Sequence, residues 1–391
     1  MSRSRAVALV VLLASSITVA AFAAGPRDGK TYSYLQVFRE VLGLTKQNYV
    51  EPTDDAVLLE GAFRGMVASL DVASAYLAPG EEKELQTLPG PGRTGMEVLP
   101  AGGVAVVVRV DPGSPADKAG LKLGDQIWRI GEKPARQLAW PQLRHRLSGA
   151  IGAPLKLTIL NGDTFKLEDK TIMLAARTGK GFALESKTDG VVYLRVMDLE
   201  QLDALALRRE LTTMVGQHGQ EPWLIDLRGV VGLDPQILVP LAGVLYDGGA
   251  LLTLNPRQGE TQKIEAPAAQ RAGLPKLSVL IDGSTAGTGE ALAILLKEKT
   301  GATLYGRQSF GLGSTPELIP LSSGGSLLLT TREMKTASGY SWAGKGIDPD
   351  KIVTPGGARI DDDAVGGDPL LDETIRLLRS PIAASQAKPA A

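Results

Sequence analysis

Hydrophobic residues recur at two different periods along the chain, and the change of period separates its regions. Between residues 31 and 87 apolar side chains return every three or four positions, which is the period of a helix with one buried face. The positions that show this spacing are Tyr34, Phe38, Val41, Leu42, Leu59, Phe63, Met66 and Leu70. We therefore predict an N-terminal helical region over 31–87.

A β-rich module is predicted over residues 92–176. It follows the turn-rich stretch Leu88-Pro-Gly-Pro-Gly-Arg93, whose Pro and Gly content is typical of a linker. Predicted strands cover 104–110, 121–130 and 155–160, and predicted short helices cover 116–119 and 140–147. Short strands interrupted by Gly-rich turns favour a small sheet-based module.

Strands and helices alternate over residues 177–380. Predicted strands are 190–196, 223–226 and 277–281, and predicted helices are 202–215, 235–245 and 290–299. This alternation indicates an α/β layered domain. Residues 381–391 are rich in Pro, Ala and Ser without an apolar period, and we expect them to be a disordered tail.

The first residues have the pattern of a secretory signal. Arg3 and Arg5 precede the apolar run 6–21, and Ala21-Phe22-Ala23 has the small residues of a cleavage site. We expect a signal peptide over 1–23, cleavage near Ala23 and an extracytoplasmic, periplasmic location. The alternative is an uncleaved N-terminal membrane anchor.

The composition of the chain excludes some kinds of binding site. The net charge of −1 over 391 residues gives no electrostatic basis for binding nucleic acid. The chain has no cysteine and only two histidines, His145 and His218, so a multi-histidine or thiolate metal site cannot be built. We expect no metal and no cofactor.

The string Gly113–Ile130 resembles the PDZ pattern G-S-P-A-x-x-A-G-L-x-x-G-D-x-I-x-x-I. PDZ domains accept a chain terminus as an added strand on a sheet edge. That resemblance implies a ligand loop at 93–98 and a peptide-binding groove. Its candidate residues are Gly95, Met96, Val98, Leu143 and Leu147, although Val98, Leu143 and Leu147 are equally compatible with a role in the core of the module.

Two further stretches, Asp282–Glu290 and Gly306–Ser314, resemble the active-site motifs of the carboxy-terminal processing peptidases. In that family the first motif reads N-x-G-S-A-S-A-S-E, with the nucleophilic serine three residues before the glutamate. The second reads G-x-x-x-F-G-K-G-S and carries the basic lysine. Here these positions hold Gly287 and Leu312, and 312 − 287 gives the family's spacing of 25.

A glutamine four residues after the family's lysine corresponds to Pro316. Glycine has no hydroxyl and leucine has no basic atom, so the usual serine–lysine chemistry cannot occur. The family's oxyanion donors correspond to Gly232 and Thr288. Ser284 and Thr285 are weak substitute nucleophiles, and neither has a base at the usual place.

The resemblance implies a crotonase-like (ClpP-like) α/β peptidase core with an inserted PDZ domain and an N-terminal helical region. Our first hypothesis is a secreted pseudopeptidase that binds protein C-termini or unfolded segments, as an adaptor or regulator of an active processing peptidase or as a homo-oligomer. The second is an active serine endopeptidase with non-standard residues. The third is a structural envelope assembly protein.

Overall fold

The protein is described by a computed structural model for residues 29–87, 89–177, 179–271, 273–354 and 368–379. The predicted signal peptide at 1–23 and the predicted tail at 381–391 lie outside these residues. The chain divides into two compact units, residues 1–65 and 66–391, and each is considered by itself.

The first unit contains helix α1, Gly29–Asn48, and most of helix α2, Asp55–Ala68. The two helices are joined by an ion pair of 2.7 Å between Lys46 and Asp55. Large apolar side chains of α1, including Tyr34 and Phe38, are exposed to solvent. Within the described residues, no helix is long and apolar enough to cross a membrane.

In the second unit, Ala75–Leu77 is strand β1 and Glu82–Gln86 is the short helix α3. The prediction of helix throughout 31–87 is therefore wrong at β1. The reason is Asp71, whose carboxylate accepts hydrogen bonds from the backbone amides of Ala73 and Ser74, both at 2.8 Å. This turn ends the helical path and directs β1 onto the edge of a sheet.

The PDZ-like module is built on a six-stranded antiparallel sheet in the order β3-β4-β5-β8-β9, with β6 paired to β5. Its strands and helices are β2 Gly92–Arg93, β3 Met96–Ala101, β4 Val104–Val110, α4 Pro115–Lys118, β5 Gln126–Ile130, β6 Lys133–Pro134, α5 Trp140–Arg146, β7 Ser148–Gly149, β8 Pro154–Leu160, β9 Leu167–Met173 and β10 Ala175–Ala176. Strands β10, β2 and β7 form a small separate sheet, which holds both ends of the module together.

The α/β core has two large sheets with a helix between them, and a two-stranded sheet of β14 and β18. The first sheet has the order β11-β12-β13-β17-β19-β22 and is parallel except at β11. The second sheet has the order β1-β21-β15-β16, with β20 on β21. The remaining elements are β11 Phe182–Ser186, β12 Val192–Val196, α6 Ala204–His218, β13 Trp223–Asp226, β14 Val231–Gly232, β15 Gly249–Pro256, β16 Gln262–Ala266, β17 Leu277–Ile281, β18 Ala286–Gly287, α7 Thr288–Thr300, β19 Thr303–Gly306, β20 Ser314–Pro320, β21 Ser326–Thr336, β22 Lys351–Ile352 and α8 Pro369–Arg379.

Helix α7 occupies the centre of this core. Its first nine residues, Thr288–Leu296, are all buried, because the helix packs on both sheets within one apolar cluster. A helix buried on all sides carries no polar stripe. This placement fixes the N-terminal end of α7 and the strand-to-helix turn before it.

Helix α8 covers the outer face of the first sheet and is anchored by a buried charge network. Asp226 at the end of β13 is fully buried and pairs with Arg195 and Arg228, each at 2.6 Å. Arg228 also binds both carboxylate oxygens of Asp368, at 2.8 and 2.5 Å, just before α8 begins. Asp226 and Arg228 therefore have a structural role at the end of β13.

The anchor of α8 provides a pH-dependent prediction. Burial would raise the pKa of Asp368, but hydrogen bonds and charge from Arg228 outweigh burial and lower the pKa. A carboxyl group whose pKa is lower in the folded state stabilises the protein above its unfolded pKa, about 4, and loses this effect as the pH falls through the folded pKa. We expect Asp368→Asn to reduce the free energy of unfolding by about 1 kcal/mol at pH 7, and the difference to shrink as the pH falls below the unfolded pKa towards the lower folded pKa.

Urea unfolding of the wild type and the variant across this pH range measures the effect. Asp372→Asn is the matched control, because Asp372 lies in the first turn of α8, four residues after Asp368, and is exposed. A difference between wild type and Asp368→Asn that is the same at pH 3 and pH 7 would contradict the assignment.

Candidate functional site

The turn that carries position 287 joins the end of β17 to the start of α7. Gly287 has φ 60° and ψ −113°, a conformation that strains any residue with a Cβ atom. The parallel pairing of β14 with β18 sets Gly232 beside Gly287. A Cβ atom added to Gly287 would lie 1.9 Å from the carbonyl oxygen of Gly232. A nucleophilic side chain therefore has no space here unless the turn at Gly232 moves.

The predicted oxyanion-like residues, Gly232 and Thr288, are both buried. Gly232 directs its carbonyl oxygen towards position 287, and a Cβ atom on Gly232 would lie 2.2 Å from Oγ1 of Thr288. An oxyanion pocket needs N–H donors aimed at the developing charge, and a carbonyl oxygen in that place opposes such charge. This geometry does not favour the predicted role, and close packing against Thr288 is reason enough for a glycine at 232.

Glu290 ties the two halves of the site together. The side chain is fully buried and accepts four hydrogen bonds of 2.5–2.8 Å. The donors are the backbone amides of Gly287, Gly311 and Leu312 and the hydroxyl of Ser309. Burial raises the pKa of Glu290, against the effect of these donors. The carboxylate thus fixes the position-287 turn relative to the loop that leads to position 312.

Leu312 lies next to Gly287, as the family spacing predicts. Its Cδ2 atom is 3.5 Å from the Cβ atom that a side chain at 287 would have. Leu312 is buried in an apolar cluster, called here the Leu312 cluster. Its buried members are Ala73, Leu99, Trp140, Val231, Ala286 and Leu312, and Val72, Val108, Leu233 and Phe310 pack against it. Hydrocarbon therefore fills the region where the family carries an amine.

Pro316, at the third degenerate position, lies in β20. Among the described strands it pairs with β21 alone, and the register shifts between Thr315 and Pro316. A proline without an N–H donor is tolerated at such a bulge on an edge strand. The position serves the sheet and offers no side-chain group that could orient a base.

Ser284, considered above as a substitute nucleophile, lies in the turn before α7. Its hydroxyl donates to Oδ1 of Asp282 and accepts from the backbone amide of Gly229 at 2.7 Å. Thr285 donates to the carbonyl oxygen of Leu227 at 3.0 Å. Both side chains therefore tie the turn before α7 to the turn after β13, and the hydroxyl of Ser284 faces a carboxylate, which is a weaker base than an amine.

The peptide-binding residues predicted in the PDZ-like module divide into two groups. Gly95, Met96 and Leu147 line a cavity of about 490 Å³. Val98 and Leu143 do not line it and pack in the core of the module with them. Gly95 has φ +73°, and a Cβ atom there would lie 2.3 Å from Cβ of Ser114, so only glycine fits. Peptide binding by these residues stays a prediction.

The cavity has walls from both the module and the core. The module contributes Arg93 and Arg144, and the core contributes Asp198, Glu200 and Leu233. Sequence reasoning missed the core side, because strand β12 and the loop after it have no motif that links them to a ligand. The one available signal was position 233, where the family has glycine and this chain has leucine.

Two of the arginines that line the cavity are held in ion pairs. Arg144 pairs with Glu97 at 3.0 Å and with Glu200 at 3.5 Å, and Arg177 pairs with Asp198 at 3.0 Å. Within the residues that the structure describes, Arg93 has no carboxylate at ion-pairing distance. Burial and the nearby charge of Arg177 lower the pKa of Arg93. An anion beside Arg93 would relieve both effects.

Trp140 limits access to the sheet edge above the cavity. Within the part of the chain that the structure describes, β3 pairs with β4 alone, so its other edge is open to an added strand. The indole N–H of Trp140 donates to the carbonyl oxygen of Val98 at 2.8 Å. An added segment can therefore pair with the first residues of β3 but not with its middle.

Among the described residues, no group of three or more His, Cys, Asp or Glu side chains could hold a metal ion.

Comparison with known proteins agrees with this architecture. Residues 190–353 match peptidase family S41, and residues 106–161 match a PDZ domain. The chain is 30% identical over 354 residues to the carboxy-terminal-processing protease of Bartonella bacilliformis, covering 89% of this chain and 81% of that protein. It is 25% identical over 308 residues to the carboxy-terminal processing protease CtpA of Bacillus subtilis, covering 78% and 66%.

A solved structure, the photosystem II D1 C-terminal processing protease, superimposes with a TM-score of 0.60. It is 22% identical in sequence, and the match covers 85% of this chain and 89% of that one. This likeness concerns the fold. It confirms the predicted peptidase-like α/β core with a PDZ domain.

The hydrogen bonds of Glu290 can be tested directly. Glu290→Gln replaces one acceptor oxygen by an NH₂ group that faces N–H donors, so we expect the free energy of unfolding to fall by about 3 kcal/mol. Urea unfolding monitored by circular dichroism measures the change. The control is Glu298→Gln, an exposed glutamate of the same helix. A loss no greater than that of the control would show that Glu290 does not hold the site together.

Proposed function

This chain belongs to the carboxy-terminal-processing protease family, peptidase family S41, with a PDZ domain, and we propose that it binds protein C-termini without cleaving them. The observation that carries this proposal is the pair of positions 287 and 312, which hold a glycine and a buried leucine side by side. The relatives compared above are named as proteases. The proposal is that this member keeps their frame and lacks their chemistry.

The absence of side-chain chemistry at these two positions has a large kinetic consequence. Removing the nucleophile or the base of a serine protease lowers turnover by about 10⁶, and removing both costs little more because they act together. The carbonyl oxygen of Gly232 also occupies the space in which a nucleophile would begin. These features support a non-cleaving protein.

Ser284 does not favour the alternative of an active endopeptidase. A hydroxyl becomes nucleophilic when a basic group accepts its proton. The partner of the Ser284 hydroxyl is Asp282, and a carboxylate is a weak base at neutral pH. The backbone amide of Gly229 occupies the other side of the hydroxyl oxygen, so attack would require the turn to open.

Binding of a terminal carboxylate is supported by the composition of the cavity. Arg93 brings a positive charge that pairs with no carboxylate among the described residues. Gly95 has no side chain, and Ser114 leaves no space for one, so the loop backbone at this position is not covered by a side chain of its own. Met96 and Leu147 give the same cavity apolar wall. An apolar C-terminal residue with its carboxylate beside Arg93 fits this arrangement. The proposal includes an extracytoplasmic setting and action as an adaptor or regulator of an active processing peptidase; the setting rests on the sequence of residues 3–23.

Catalytic inertness is tested with the purified protein, an unfolded substrate that ends in apolar residues and a fluorophosphonate probe. We expect no stoichiometric labelling and no cleavage, with Ser284→Ala indistinguishable from the wild type. Gly287→Ser combined with Leu312→Lys should also remain inactive, because the serine Cβ would meet the Gly232 carbonyl and the turn is strained. Labelling of the wild type that disappears in Ser284→Ala would refute the proposal.

Terminus binding is tested by fluorescence anisotropy with labelled peptides that end in apolar residues. Arg93→Gln should weaken binding about tenfold, since a charge-assisted hydrogen bond to the carboxylate is lost. Peptides with an amidated C-terminus should bind the wild type as weakly as free peptides bind the variant. Arg136→Gln, at an exposed position of the same module, is the control. Equal affinity for free and amidated termini would rule out carboxylate recognition.

A further inference from the structure

We propose that the Leu312 cluster is an apolar latch that holds the PDZ module against the α/β core, and that terminus binding requires this latch. The docking part stands on the structure alone. The link to ligand affinity rests on the function proposed above and deepens it, since it assigns the regulation of the same cavity. Leu312, at the position of the family's lysine, then has a role of its own: it makes an apolar contact between the PDZ module and the core.

The latch is seen first in the burial of β3. Successive residues of a strand face opposite sides of a sheet, yet Met96, Glu97, Val98 and Leu99 are all buried. Val98 packs in the core of the module, whereas Leu99 belongs to the Leu312 cluster. The side of β3 that faces away from the module core is therefore covered by the α/β core.

The cluster joins parts of the chain that are distant in sequence. Leu99 and Trp140 come from the PDZ module, and Val231, Ala286 and Leu312 come from three segments around positions 287 and 312, namely β14, β18 and the loop before β20. Each of these side chains is 8% exposed or less. An unpaired polar group in such surroundings would be costly, so the contact requires hydrocarbon at position 312.

A polar contact beside the cluster supports the same docking. Arg109 of β4 is buried and donates to the carbonyl oxygens of Gly229, at 2.8 Å, and Met197. Gly229 has φ +70°, and a Cβ atom there would lie 3.0 Å from Cβ of Arg109. The module therefore rests on the ends of two core strands as well as on the apolar cluster.

Leu233 connects the latch to the cavity. It packs against the Leu312 cluster and also lines the cavity. Across from it, Arg93 belongs to the module side, and Arg177 and Glu200 complete the charged wall. If the module left the core, these walls would separate and the binding site would lose one side. A ligand that needs both walls favours the docked state by the same factor by which docking favours the ligand.

The test uses the full chain and two substitutions that reach the latch from opposite sides. Leu312→Gln places an amide in the cluster from the core, and Leu99→Ala shortens the contact from the module. Leu123→Gln is the matched control, because Leu123 is an exposed leucine of the same module. The readouts are trypsin cleavage after Arg93 and Arg177, at the two connections between module and core, and peptide affinity by anisotropy.

We expect both latch variants to be cleaved at these sites about tenfold faster than the wild type and the control, because the docked state opens more often. In the same variants the peptide affinity should fall about threefold or more. Peptide should slow the cleavage of the wild type. Circular dichroism spectra and thermal unfolding identify a variant that has lost its fold, and in that case the other variant decides.

Cleavage in Leu99→Ala and Leu312→Gln at the wild-type rate would overturn the latch, whatever the peptide result. Accelerated cleavage with no change in peptide affinity would overturn its role in binding. A wild type that binds no peptide, with cleavage still faster in both latch variants, would refute the proposed function and leave the docking role standing. The two failures are therefore distinguishable.

Discussion

The geometry around positions 287 and 312 depends on the hydrogen bonds that the carboxylate of Glu290 accepts. This carboxylate is buried, has no cationic partner among the residues that the structure describes, and accepts hydrogen bonds from four donors, three of which are backbone amides. Backbone donors are present whatever side chain a residue carries. Positions 287 and 312 can therefore hold glycine and leucine while their main chains remain in place. This explains how a site can lose its reactive groups and keep its frame.

The same reasoning separates what is structural from what is chemical in the family's motifs. Ser284 and Thr285 bridge two turns, and Asp226 binds arginines at a strand end; each contributes to folding whether or not a peptide bond is cleaved. A serine nucleophile or a lysine base contributes nothing comparable. Such structural groups are present in this chain, whereas positions 287 and 312 carry neither a hydroxyl nor an amine.

Much of the fold was predictable because buried strands carry their own signal. The predicted strands at 104–110, 223–226 and 277–281 agree with the structure residue by residue. The strand predicted over 121–130 begins only at Gln126, because Gly124 has φ +89° and Asp125 binds the amides of Lys122 and Gly162. The helix predicted over 235–245 is a 3₁₀ helix at Pro235–Leu241 with Pro240 inside it, since proline interrupts α-helical hydrogen bonding.

The site was predictable only as far as a motif fixes a position. The adjacency of Gly287 and Leu312 follows from the family spacing, whereas the partnership of Leu312 with Leu99 depends on how two modules dock, which no local pattern encodes. That partnership has a consequence for function. An active base must remain open to substrate, and a side chain that closes an apolar contact with the PDZ module fills that volume. Cleavage and the proposed latch would therefore exclude each other at position 312, which is consistent with the proposal that this chain binds a terminus without cleaving it.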